Sequence, residues 1–183
     1  MVVVTVSGTP GSGKTTACRL LGQRLGLEFV STGHFFRAEA EQRGMSLADF
    51  GLYCETHPEV DRALDARQVE RLRQGNIILE GRLAGWMAHR EGVAAVKVWV
   101  DADEEERARR IANREGGDVA QRLREMRDRE ASERIRYLSY YGIDLRDRGI
   151  YDLVVQTTSI TPEEVVRRIV ATVEERRQAG TTP

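Results

Sequence analysis

Gly8-Thr9-Pro10-Gly11-Ser12-Gly13-Lys14-Thr15 is the stretch on which the fold turns. It fits the spacing G-x-x-x-x-G-K-[ST] at every defined position, and Thr16 follows it. Glycines at these points let successive backbone N–H groups turn inward around phosphate oxygens. A helix beginning near Gly13 aims the positive end of its dipole at the same place. Lys14 can then bridge the β- and γ-phosphates of a nucleoside triphosphate, and the Thr15 hydroxyl can hold Mg²⁺. The flanks agree with this reading. Val2 to Ser7 is a short β-branched run that reads as a buried strand closed by Gly8, and Ala17, Leu20, Leu21 and Leu25 share one helical face that stops at Gly26. Gly8, Thr9, Pro10, Gly11, Ser12, Gly13, Lys14, Thr15 and Thr16 are therefore expected to cradle the phosphates of ATP.

Working outward, the same alternation of strand and helix recurs. Strands are expected at Glu28–Ser31, Asn76–Glu80, Val96–Asp101 and Asp152–Gln156. Helices are expected from about His34 to Arg43, Met45 to Glu55, Pro58 to Gln74 and Glu104 to Arg114. One more runs from an Asp118 cap to about Tyr140, and the last opens at Thr161-Pro162-Glu163-Glu164. Strands alternating with helices of about a dozen residues predict a parallel sheet with helices on both faces, an α/β three-layer P-loop NTPase fold. One domain over residues 1–178 and a loose polar tail at 179–183 complete the expected organisation.

The composition fits this. The chain has 183 residues, 28 basic and 29 acidic, with 40 % hydrophobic and 31 % charged residues, which is the profile of an ordinary globular domain. A net charge of −1 gives no general electrostatic case for nucleic acid or an anionic membrane. No apolar run is long enough to span a bilayer, and Cys18 and Cys54 make neither a disulfide framework nor a metal-ligand spacing. A cytoplasmic, monomeric protein with no nucleic-acid or membrane partner is expected. All but two of the basic residues are arginine, and one of the two lysines is Lys14.

The other strand ends indicate what receives the phosphoryl group. Neither lysine lies in a guanine-recognition N-K-x-D loop, and an L-S-G-G-Q-like transporter signature is absent. After the second strand, Ser31, Thr32 and Gly33 precede Arg37 by one helical turn, an arrangement that can close on a second phosphate. After the third strand come Glu80, Gly81 and Arg82; Glu80 is placed to orient Mg²⁺, directly or through its water, and Arg82 to reach the same cleft. From Arg107 to Arg136 ten arginines interleave with acids, and most of them read as a salt-bridged solvated face. A few are expected to close over the phosphates: Arg107 or Arg110 near the donor, and Arg129 with Arg134 near the transferred group. Arg127 with Arg134, or Arg129 with Arg136, are the alternative pairs. Lys14, Arg82, Arg129 and Arg134 thus form the expected catalytic set. Gly116-Gly117 would let the segment swing, Asp61 is a candidate for meeting the acceptor base, and Asp101 and Asp103 read as caps of the following helix.

Ser31-Thr32-Gly33-His34-Phe35-Phe36-Arg37 resembles the acceptor-phosphate loop of the nucleoside monophosphate kinases, and Gly81-Arg82 is similar to their next acceptor-binding element. Leu79 to Trp86, Arg129 to Arg134, Tyr140 to Asp144 and Tyr151-Asp152-Leu153 look like the archaeal-type cytidylate kinases in particular. The resemblance implies transfer of the γ-phosphoryl group of ATP to CMP or dCMP with Mg²⁺. It also implies a five-stranded parallel sheet, a monophosphate-binding region near 31–75 and a lid near 107–136. An adenylate kinase, another small-molecule kinase of the shikimate type, and an ATP-binding RNA or ribosome-assembly factor are the alternatives. The last would want an unbalanced basic stripe.

Overall fold

A computed structural model describes residues 1–180. The last three residues of the expected tail, 181–183, lie outside the described residues. Five strands are present: β1 (Val3–Gly8), β2 (Glu28–Ser31), β3 (Ile77–Glu80), β4 (Val96–Asp101) and β5 (Leu153–Gln156). Among the described residues they are joined by eight helices. These are α1 (Lys14–Leu25), α2 (Thr32–Gln42), α3 (Leu47–Thr56), α4 (Pro58–Gln74), α5 (Ala84–Arg90), α6 (Glu104–Glu115), α7 (Val119–Tyr141) and α8 (Pro162–Gln178). The strands pair in parallel in the order β2-β3-β1-β4-β5. All five residues of the run Val3–Ser7 are buried, as a parallel strand covered on both faces requires.

Each face of the sheet has its own core. On one side Val4, Val6, Val98 and Val100 pack with Ala17, Cys18 and Leu21 of α1 and with Val165, Ile169 and Val173 of α8. On the other, Val3, Ile77 and Leu79 meet Leu72 of α4, Ala84, Met87 and Ala88 of α5, and Tyr137 of α7. Phe50 and Cys54 of α3, with Ala40 of α2, form a smaller third cluster against Phe36 and Tyr53. Helix α5 has no counterpart in the sequence reading. Its seven residues offer less than two turns of periodicity, and Gly85 breaks the apolar pattern because it meets Tyr151: a Cβ there would lie 2.6 Å from the Tyr151 ring.

The register matters for function because it aligns the carboxyl ends of the strands. Ser31 lies opposite Glu80, Glu80 opposite Val6, Gly8 opposite Val100 and Asp101 opposite Gln156. The loops that leave these ends therefore share one edge, where open α/β sheets place their ligands. Gly8 must be glycine, since at φ 151° a Cβ would stand 1.9 Å from the Val100 carbonyl oxygen. At the far end of α6, Gly116 and Gly117 take φ values of 77° and 89° and reverse the chain. Asp118 then caps α7 by accepting from the backbone N–H groups of Ala120 and Gln121.

Candidate active site

The loop from Gly8 to Gly13 leaves β1 and enters α1 as the spacing requires, and its groups are held in place by side chains from several elements. Lys14 is buried; its ammonium donates to the Thr9 carbonyl at 2.5 Å and lies 3.5 Å from the Ser12 hydroxyl, which itself donates to the Thr9 carbonyl. Burial and then the Arg82 charge pull the Lys14 pKa down to about 7. Thr15 donates its hydroxyl to Glu80 Oε2 at 3.1 Å, which joins the start of α1 to the end of β3. Mg²⁺ is commonly held by one or two carboxylates together with substrate phosphates and its own waters. A hydroxyl beside one buried carboxylate fits that chemistry, although no group of three His, Cys, Asp or Glu side chains suited to a metal occurs among the described residues.

Arg82 enters the same edge from the loop after β3. It donates through Nη1 to the Gly8 carbonyl and through Nε to Glu133 on α7 at 2.5 Å. Burial works against its charge, but Glu133 outweighs this and raises the Arg82 pKa. Burial would likewise push Glu133 up, yet Arg82 and Arg129 hold its carboxyl at about 2. Arg129 donates to the other oxygen of Glu133 at 2.9 Å. Lys14, Arg82 and Arg129 are thus close enough for both arginines to act on the lysine's titration.

The acceptor elements border this cluster. Gly81 lies against Thr32 so closely that a Cβ would fall 2.1 Å from the Thr32 hydroxyl. Ser31 is the residue before α2, and Arg37 lies one turn along it with an exposed guanidinium beside Gly33 and no polar partner among the described residues. Asp61, on α4, is buried and holds Arg136 of α7 through both carboxylate oxygens, at 2.8 and 2.6 Å. The Phe36 ring lies 5.5 Å from the Arg136 guanidinium. Asp65, one helical turn from Asp61, accepts from the Tyr141 hydroxyl at 2.6 Å, and its burial raises its pKa to about 7.

The remaining charged residues expected at the site fall in different places. Arg134 is exposed and its charge acts on Asp144, beyond the end of α7, so it does not join the cluster. Arg127 pairs with Glu104 of α6, and the two arginines on the Glu133 side are Arg129 and Arg136. Arg107 supports the loop from beneath: it is buried, donates to the carbonyls of Ala102 and Pro10, and pairs with Glu130. Arg110 reaches Thr157, whose hydroxyl donates to the Ser12 carbonyl, and it approaches Gly13. Asp103 stands at the head of α6 but makes no side-chain cap bond. Asp101 serves the phosphate loop, accepting from the Thr9 hydroxyl at 2.6 Å. Arg136 entered the sequence reading only as an alternative partner of Arg129, and Glu133 only as one of the interleaved acids. The signal was the spacing Arg129-Glu133-Arg136, which puts three charges on one side of a helix.

The sheet order, the loop after β1 and the cations above it define a P-loop nucleoside triphosphate-binding fold. Residues 3–159 match the cytidylate kinase-like family. A cytidylate kinase of Pyrococcus abyssi is 46 % identical over 173 residues, covering 94 % of each chain. Among solved structures, an uncharacterized protein from Eubacterium ventriosum aligns with a TM-score of 0.71 at 15 % identity, over 96 % of this chain and all of that one. Shikimate kinase from Acinetobacter baumannii in complex with shikimate aligns at 0.58 and 17 %, over 96 % of this chain and 94 % of that one. The structural likenesses show the fold. The chain belongs to the cytidylate kinase-like family.

Proposed function

We propose that the protein transfers the γ-phosphoryl group of ATP to CMP and dCMP, giving CDP or dCDP and ADP. One P–O bond forms to an acceptor phosphate oxygen and one breaks at the γ-phosphorus. The observation that carries this reading is the convergence of Lys14 and Arg82 on the first two carbonyls of the phosphate loop, opposite the Thr15–Glu80 pair, in a chain of this family.

Phosphoryl transfer spreads charge over three equatorial oxygens and asks for positioned cations rather than a covalent nucleophile. In this reading Lys14 exchanges its bond to the Thr9 carbonyl for the donor phosphates. Arg82 and Arg129 hold the transferred group, Arg37 with Ser31, Thr32 and Gly33 grips the acceptor phosphate, and Gly81 leaves room for Thr32. Thr15 and Glu80, the latter directly or through water, would hold Mg²⁺, which would supply further charge neutralisation when bound. Asp61, fixed by the Arg136 guanidinium that lies over the Phe36 ring, lines the place for the acceptor base. Arg107 and Arg110 act on the donor side, through the loop they support. Residues 31–75 form the acceptor region and 107–136 the lid, whose closure excludes water and limits wasteful hydrolysis. We propose it as a cytoplasmic monomer acting on free nucleotides.

ADP release measured with ATP and Mg²⁺ against AMP, CMP, dCMP, UMP, GMP and shikimate tests the assignment. Turnover is expected with CMP and dCMP and to be far lower with the others. Fastest turnover with AMP or shikimate overturns the acceptor, and no turnover with any overturns the kinase.

A further inference from the structure

Helix α7 carries one buried carboxylate, Glu133, to which none of the roles above gives a task of its own. Glu133 is 3 % exposed, and its two oxygens accept from two different guanidiniums, Oε2 from Arg82 and Oε1 from Arg129. In both arginines the donor is Nε. That geometry leaves both terminal nitrogens of Arg129 without a partner among the described residues, and in Arg82 leaves Nη2 free while Nη1 is tied to the Gly8 carbonyl. Arg82 follows the end of β3 and Arg129 lies on a helix entered through two glycines of positive φ. A single buried carboxylate therefore joins a fixed cation to one carried by a separate element.

We propose that Glu133 is the positioning residue that yokes Arg82 to Arg129, so that both present their terminal amino groups to the same phosphoryl group. The proposal rests on the phosphotransferase reading of the site. Arginine has a long side chain with many rotamers, and a cation fixed before the reaction stabilises developing charge without reorganising during it. Two oxygens on one carboxylate are what two Nε–H donors need. A glutamine offers one accepting oxygen, and its NH₂ can only donate, so it would face one guanidinium with another donor and release it. Glu133 would thus act through the arginines and never touch substrate.

The test is a cycle of wild type, E133Q, R129Q and E133Q/R129Q, read as kcat and as KM for ATP. If Glu133 acts through Arg129, E133Q lowers kcat by about 10- to 100-fold while KM for ATP changes little, and the double variant is no more than about threefold worse than the poorer single one. Factors that multiply, or an E133Q enzyme with wild-type kcat, overturn the proposal; a purely structural Glu133 gives the first of these. Should E133Q fail to fold, E133D takes its place. Its shorter carboxylate reaches one guanidinium, and the same non-multiplying pattern is expected, with multiplying factors again the contradiction. The cycle is read with whichever monophosphate the wild type turns over fastest, so a wrong acceptor leaves it intact and multiplying factors leave the acceptor assignment intact. No turnover with any monophosphate removes both.

Discussion

Burial and the neighbouring Arg82 hold the Lys14 ammonium near a pKa of about 7, against an ordinary lysine value of 10.5. Bound phosphates supply the opposite charge and raise it again, so nucleotide binding is linked to proton uptake. The sign follows directly. Below about pH 7 the lysine is already charged and binding carries no protonation cost; above it, affinity falls as pH rises, by up to about tenfold per unit until the pKa of the bound state is reached. Calorimetric titration of ATP in two buffers of different ionisation heat should show about one proton taken up near pH 8 and almost none near pH 6. A pH-independent affinity between 6 and 9 would contradict the assigned role. At this scale the phosphate loop was legible because its chemistry fixes residue types at consecutive positions. The contacts of Glu133 and Arg136 were not, because they are made with Arg82 and Asp61, 51 and 75 residues away in the chain.

Among the elements, the loop after β3 and the start of α2 share a contact so close that it admits no side chain. A Cβ on Gly81 would lie 2.1 Å from the Thr32 hydroxyl and 3.1 Å from the Thr32 Cβ and Cγ2. Gly81→Ala must therefore push Thr32, and with it the Ser31–Arg37 segment, away from the site. The expected result is a rise in KM for the acceptor of about tenfold with little change in KM for ATP, since displacements of about 1 Å can cost on the order of 100-fold. A variant with both constants at wild-type values would show that this loop does not serve the acceptor. Helix starts at Pro58, Asp118 and Pro162 were readable from proline and capping residues, and the Asp118 and Thr161 caps form their expected bonds. Asp103 shows the limit of the same rule, because its carboxylate turns to Gln156 instead of the helix. Residue type indicates a capacity to cap; competition from a neighbouring strand end decides whether it is used.

For the whole molecule, stability and chemistry sit on different parts of the sheet. The α1–α8 side is apolar, with Ile169 fully buried against β1 and β4 residues, whereas the charged cluster occupies the strand ends. Ile169→Ala should therefore lower unfolding free energy by about 2–5 kcal/mol and leave both KM values within about twofold at a temperature where the protein stays folded. Denaturant unfolding checks the first, and a large KM change would show that the two halves are coupled. The alternation of strand and helix sufficed for the α/β class because its period is local. Strand order was not readable, since it depends on which β-strands pair across stretches of 45 to 87 intervening residues. Several of the arginines, Arg127, Arg146, Arg167 and Arg168 among them, pair with acids on exposed surface, where such pairs contribute little.

Direct transfer between two nucleotides can be followed with γ-labelled ATP incubated with the protein, Mg²⁺ and CMP. The label should appear on the β-phosphate of CDP, with inorganic phosphate a minor product whose formation does not depend on CMP. Label released mainly as inorganic phosphate, with CDP unlabelled, would contradict it.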